Sequence, residues 1–392
     1  MTCHPQPGSV SREANYSDNE DYLVLNAARL SLRRSRLRAL ASAVEAVLSI
    51  FFQAILMLQS ISNTGLTDDS RHLRNALIGM KPPHDAALFV WGSTFGGWGK
   101  FDSTASNFGL TTDHTGFVTG FGFGRSNFSA AVSFGIGGSD FDLKNHNDTA
   151  DVDSKYLAAH VTFGGDAGLT GAVGISYAWH DIDTTRTITG VPLAQTLVSQ
   201  RDANTLQIFG DLSYKLMAGS TAVAPFVRVA RVNTESDAVV ERGGSAALII
   251  GRAGRTTTYL SLGAKAVLNA AGDGLQPFVS AAWNRAVGDR STELLSRFDA
   301  WGAGFAVTGQ SIPNDSAELE AGLNYTSGAL IIGAAYSGTL ASDRSSHGAR
   351  ATVRLAFFKS QQTGCPSSVK LDGVPEPLSP SGETSGPINK FL

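Results

Sequence analysis

Phe128-Ser-Ala-Ala-Val-Ser-Phe-Gly-Ile-Gly137 decides how this chain folds. Read at every second position, one set is Phe128, Ala130, Val132, Phe134 and Ile136, and the other is Ser129, Ala131, Ser133, Gly135 and Gly137. Successive side chains of a strand point to opposite faces, so the stretch is a strand with one apolar face and one small or polar face. The same pattern recurs outward from it. Leu157, Ala159, Val161 and Phe163 oppose Ala158, His160 and Thr162, and Leu169, Val173, Ile175, Tyr177 and Trp179 oppose Thr170, Ala172, Gly174, Ser176 and His180. Further on, Leu206, Ile208, Leu212, Tyr214 and Leu216 oppose Gln207, Phe209, Asp211, Ser213 and Lys215, and Leu319, Leu323 and Tyr325 oppose Glu318, Glu320 and Asn324. The last instance sets Ala349, Ala351, Val353, Leu355 and Phe357 against Arg350, Thr352 and Arg354.

About twelve such segments lie at 86–98, 114–124, 127–139, 154–164, 168–181, 204–217, 221–234, 256–268, 275–287, 316–327, 328–340 and 347–357. Each is close to the ~9–11 residues with which a tilted strand crosses a bilayer. The links alternate. Short turns such as Arg125-Ser126, Gly165-Asp166-Ala167 and Ala218-Gly219-Ser220 take turns with the long polar stretches 182–203, 235–255 and 288–315. An even strand count with short turns at one end and long loops at the other describes an outer-membrane barrel. Trp179, Tyr214, Trp283, Tyr325 and Phe357 stand near strand ends, where an aromatic girdle belongs.

A soluble β-sandwich also alternates. Its dry core would have to accept the mid-strand charges, and its other face would leave a large apolar surface in water. A membrane barrel gives each face its own solvent, lipid outside and water inside. Asp211, Lys215, Lys265, Glu318, Glu320, Arg350 and Arg354 share the second parity and are predicted to line the lumen.

Residues 85–357 thus form the predicted barrel. Residues 1–65 are mixed and charged, and 358–392 are rich in Pro, Ser and Gly, predicting a disordered tail. Arg29, Arg33, Arg34, Arg36 and Arg38 precede the apolar run 39–58, the order of a secretory signal, with an amphipathic helix as the alternative. Within 66–84, Thr67-Asp68-Asp69 offers a helix N-cap with acid in the first turn, and Pro82-Pro83 ends the helix. Cys3 and Cys365 lie near opposite ends and make no metal-binding spacing. With a net charge of −3 and scattered basic residues, bulk nucleic-acid binding is not expected. No Gly-x-Ser-x-Gly, His-Glu-x-x-His or phosphate-binding loop occurs, so neither an enzyme nor a cofactor is expected. Gly120-Phe-Gly-Phe-Gly124 reads as strand, and His146 with Asp148, Asp151 and Asp153 as a solvated loop rather than a cation site.

Several stretches together resemble the β-domain of type V autotransporters. They are Phe89-Val-Trp-Gly-Ser-Thr-Phe-Gly-Gly-Trp-Gly99, Pro225-Phe-Val, Glu241-Arg-Gly-Gly-Ser-Ala-Ala247, Phe305-Ala-Val-Thr-Gly-Gln-Ser-Ile312 and Gly348-Ala-Arg-Ala-Thr-Val-Arg-Leu-Ala-Phe357. The resemblance implies an all-β, twelve-stranded antiparallel transmembrane barrel in the outer membrane of a Gram-negative bacterium, with an N-terminal helix inside the pore. It implies export of the chain's own N-terminal passenger to the cell surface, Arg71 and Arg74 as the charges of the pore helix, and outer-membrane lipid as solvent. It also makes Phe357 the aromatic signal read by the barrel-assembly machinery. The family carries far more residues ahead of its helix than the 65 here, and it ends at the terminal aromatic, whereas 35 residues follow Phe357. A porin-like channel and a truncated, non-functional remnant are therefore the alternative readings.

Overall fold

The computed structural model describes Arg38, residues 66–78 and residues 88–357, apart from 104–108, 126, 145, 166, 190–193, 271–273, 301 and 310. The readings made of 39–58, Pro82-Pro83, the two cysteines and the segment 358–392 fall outside the described residues. Helix α1 (Leu66–Ile78) comes first. It is followed by β1 (Leu88–Phe101), β2 (Leu110–Arg125), β3 (Phe128–Leu143), β4 (Thr149–Phe163), β5 (Gly168–Ile188), β6 (Gln195–Ala218) and β7 (Thr221–Ser236). Two short strands, β8 (Val239–Val240) and β9 (Leu248–Ile250), precede β10 (Ala253–Val267) and β11 (Gly274–Gly288). A second short pair, β12 (Glu293–Phe298) and β13 (Phe305–Thr308), precedes β14 (Asp315–Ser327), β15 (Leu330–Leu340) and β16 (Arg344–Ala356).

The twelve long strands close into one antiparallel barrel, in which β1 pairs with β2 on one side and with β16 on the other. Closure satisfies every strand edge, which lipid requires. Phe357 N donates to Leu88 O at the seam (3.0 Å). No helix among the described residues is long and apolar enough to cross a membrane.

Phe134, Val173, Leu212 and Leu355 are all exposed on the outer face, as the alternation predicts. Trp179, Tyr214, Trp283, Tyr325 and Phe357 point outward as well. From Phe128 to Ile136 the outward positions are apolar, and Asp140 and Asp142 follow on the same face. Nine residues make roughly 30 Å of strand, which at the tilt of such barrels gives an apolar band a little over ~20 Å tall.

Beyond that band the polarity inverts. Outward positions become Asp140, Asp151, Asp153, Asp181, Asp183 and Asp202, all exposed. Inward positions become Phe101, Leu110, Phe141, Leu143, Ala150, Val152 and Ile182, a buried apolar cluster that also takes Leu66. Water replaces lipid outside, so the barrel top is built like an ordinary soluble protein.

Three stretches read as polar loops are therefore structured, at least in part. Most of 182–203 belongs to β5 and β6, which run to 21 and 24 residues and rise as a paired hairpin. Parts of 235–255 and 288–315 form a second, four-stranded sheet in the order β13-β12-β9-β8, around Val239, Leu248, Ile250, Leu294 and Phe298. The bridge between Val198 and Arg242 ties this sheet's connecting segment to β6.

Candidate functional site

The barrel's interior is the candidate site, and α1 occupies it. A helix of 13 residues is marginal alone in water, where isolated helices need about 12–15 residues or more. Its surroundings hold it. The helix is already formed at Leu66, so Thr67 lies inside the first turn rather than capping it.

One flank of α1 is apolar. Leu73 and Leu77, one turn apart, pack with Phe89, Trp91, Phe95, Val118, Tyr156 and Phe209 from the β1–β6 wall. Burying each leucine contributes about 1.5–3 kcal/mol. The rings lie flat where neighbouring strands carry glycine. A Cβ at Gly122 would stand 2.5 Å from Phe89 Cζ and 2.6 Å from the Ala130 carbonyl oxygen. This explains Gly120-Phe-Gly-Phe-Gly124: the glycines face in beneath Trp91 and Phe89, and Phe121 and Phe123 face out.

The other flank is polar and meets β14 to β16. Arg71 donates to the Thr339 hydroxyl and, at 3.2 Å, to that of Ser346. Asn75 Nδ2 donates to Glu318 Oε1 at 3.0 Å, and Asn284 Nδ2 reaches Oε2 at 3.4 Å. His72 stacks on Phe95 and leans on His114.

All seven predicted lumen residues share the inward parity. Asp211 pairs with Arg228 directly across the β6–β7 ladder (3.0 Å), and Glu320 pairs with Arg350 across the intervening β15 (2.5 Å). Lys265 Nζ sits 4.0 Å from the centroid of the Phe278 ring. Lys215, Asp211, Lys265, Glu318, Glu320 and Arg350 line one cavity of about 320 Å³ beside Asn75 and Ile78, and Arg354 lines a smaller neighbouring one. Charges at this depth are tolerable because they face a polar interior and one another. Glu320 and Arg350, both among the seven, thus pair with each other, while Asp211 takes Arg228 and Glu318 takes Asn75 and Asn284. Arg228 was legible, since it has inward parity and stands opposite Asp211.

His160 and His180 face inward and are buried. His180 bridges Ser154 (2.8 Å) and Thr205 (3.1 Å). Asp148 turns in and accepts from the Thr187 N–H (2.8 Å), while Asp151 and Asp153 point out, so these carboxylates do not converge. At the barrel top, Arg186 and Glu241 form a two-pronged pair with contacts of 3.2 and 2.5 Å.

A family model described as "Autotransporter beta-domain" matches residues 90–337. Among curated proteins, two extracellular serine proteases of Serratia marcescens are 23% and 24% identical over 282 and 284 residues, each covering 68% of this chain. The chain spans about a quarter (26%) of the length of those relatives. Among solved structures, the translocator domain of autotransporter NalP from Neisseria meningitidis is similar with a TM-score of 0.64 at 14% identity, covering 77% of this chain and 99% of that one. The transport unit of AIDA-I from Escherichia coli gives a TM-score of 0.50 at 13% identity over 76% of this chain and 99% of that one. The β-domain of the Bordetella autotransporter BrkA also gives 0.50, at 14% identity over 69% and 100%.

Proposed function

This chain belongs to the autotransporter β-domain family, an outer-membrane barrel of Gram-negative bacteria, and we propose that it exports the segment N-terminal to α1 to the cell surface. The direction of α1 carries the reading. Leu66 packs at the long-loop end against Phe101, Leu110 and Phe141. Ile78 lies at the short-turn end beside Phe128, Phe163 and Gly164. In outer-membrane barrels the long loops face outward, so the chain ahead of Leu66 is aimed at the cell exterior.

The barrel itself is read as non-catalytic. Its inward carboxylates are engaged by Arg228, Arg350, Asn75 and Asn284, which supports a structural and electrostatic role for them. Protease activity is named for the Serratia proteins as wholes. A wide-open channel is disfavoured because α1 stands in the lumen and narrows it. The outward Phe357 at the closing seam supports recognition of that residue by the barrel-assembly machinery.

The test places an epitope ahead of Leu66, behind a cleavable secretory signal, in a Gram-negative host. Protease added to intact cells should remove the epitope. An epitope protected in intact cells and cleaved only after the outer membrane is permeabilised would refute export.

A further inference from the structure

On its polar flank α1 leaves two cavities, one above the other. The lower, of about 320 Å³, reaches Phe128, Phe163 and Gly164 at the short-turn end. The upper, of about 60 Å³, lies between α1 and the wall of β7, β10, β11, β14 and β15. Ile312 and Pro313 border it on the loop side, in a connection between strands, which yields more readily than a hydrogen-bonded barrel wall. At ~30 Å³ per liquid water the two have room for about ten molecules and about two. Both are lined by charged and hydroxyl-bearing side chains, which favour hydration.

One residue, Glu318 of β14, lines both cavities. Its Oε1 accepts from Asn75 of α1 at 3.0 Å, and its Oε2 from Asn284 of β11 at 3.4 Å. The carboxylate is thus held from the helix on one side and from the neighbouring wall strand on the other. Heavy atoms this close leave no gap for a water, which needs the same distance to each of them. Arg71 and Arg74 of α1 and Arg228 of β7 act on the same carboxylate electrostatically and keep it where it stands. The opposite flank of α1 is closed by apolar packing, with Leu73 and Leu77 against the rings of the β1–β6 wall.

We propose that Glu318, clasped by Asn75 and Asn284, is the seal of the lumen. It divides the hydrated path along α1 into two compartments that do not communicate, and the helix by itself does not close the barrel. The closure is polar and therefore reversible. When the clasp parts, water from the lower cavity meets the carboxylate and both amides, so no buried polar group is stranded. The inference concerns the passage of ions and is independent of what the barrel exports.

The experiment is single-barrel conductance of the full chain in planar lipid bilayers, in symmetrical potassium chloride. Heat-modifiable migration checks the folded state, and hydrogen exchange of the α1 amides checks that the helix is in place. Asn75→Ala removes the helix's half of the clasp at a position where alanine favours the helix. Conduction is set by the narrowest point of a path, so the steady conductance should rise at least ~threefold over wild type while the α1 amides stay as protected as before. Asn75→Gln, which keeps the carboxamide, should stay close to wild type. A smaller rise in Asn75→Ala overturns the proposal, since the path is then closed elsewhere. So does a rise in which α1 loses its protection, because Asn75 then anchors the helix instead of sealing the path. An equal rise in Asn75→Gln overturns it as well. Should Asn75→Ala fail to fold, Asn75→Ser, whose hydroxyl is too short to reach the carboxylate, takes its place with the same expected rise.

Discussion

Replacing Glu241 with Ala should release the segment 241–247 from the β5–β6 hairpin without unfolding the barrel. The Arg186 and Glu241 side chains are 6% and 3% exposed. Arg186 Nη2 also donates to Ala246 O (3.0 Å), and Leu248 N donates to Glu241 Oε2 (3.0 Å). The carboxylate therefore holds a buried guanidinium and a backbone amide together, above the apolar cluster of Ile188, Leu197 and Ala247. Removing one partner of a buried pair costs about 3–5 kcal/mol, because the other charge is left unmatched. The loss falls on local opening, since none of the contacts reaches the membrane band. At ~1.4 kcal/mol per factor of ten, exchange should accelerate from about a hundredfold to several thousandfold. The reporters are the amides of Val198 and Arg242, which donate to each other's carbonyls at 2.8 and 2.9 Å. Hydrogen exchange read by mass spectrometry on the refolded chain follows both. Replacing the pair together, as Arg186→Met with Glu241→Leu, should return most of the protection, because no charge is then stranded. Less than tenfold acceleration in Glu241→Ala, or equal acceleration at barrel amides such as Phe134, would refute the reasoning.

Charge reversal in Glu320→Arg sets a second cation against Arg350, 2.5 Å from the carboxylate it replaces, and should shift single-barrel selectivity towards anions in a salt gradient; an unchanged reversal potential would count against inward placement. Gly122→Val drives a side chain into the Ala130 carbonyl and the Phe89 ring, and should lower the heat-modifiable unfolding midpoint by an amount equivalent to about 1–3 kcal/mol. In a chain ending at Phe357, Phe357→Ala should reduce the folded, heat-modifiable form recovered from outer membranes; equal recovery would remove the residue from the assembly signal. Burial pushes the Asp148 carboxyl above its ordinary 3.8, outweighing the Thr187 N–H and the charges of His146 and Arg186. The folded form then holds the proton more tightly, so the contribution is full below 3.8 and is lost as pH rises through the folded value. Asp148→Asn should flatten that dependence and leave the chain more stable at neutral pH, as read from unfolding midpoints across a pH series.

The membrane band was legible because two solvents impose a strict period of two there. Phe134 and Ser133 could not exchange places without putting a ring in the lumen and a hydroxyl in lipid. Above the band the same period survives with its sign reversed, as in Asp181, Ile182, Asp183 and Thr184, and the stretch reads as a polar loop. The small sheet was hidden for another reason: β8 and β9 have two and three residues, too few for any period to show. Inside the lumen, β1 carries Phe89, Trp91 and Phe95 inward although its outer face is also apolar. A strand apolar on both sides has no parity to read, and only the presence of α1 makes those rings an interior. The charged half of the lumen was the easier part, since carboxylates and guanidiniums in mid-strand have one acceptable side.

The tall β5–β6 hairpin also bears on how freely the outer end of the barrel can vary in sequence. Its shape rests on main-chain pairing from Ile188↔Gln195 downward, which does not depend on side-chain identity. Its outward residues are exposed, and even the Lys155–Asp181 pair (3.4 Å, with side chains 68% and 51% exposed) is worth no more than ~1 kcal/mol. Almost any of these outward residues can be exchanged without disturbing the pore below. Sequence change is therefore cheap at the rim and costly in the membrane band, where lipid and lumen fix the side of every residue.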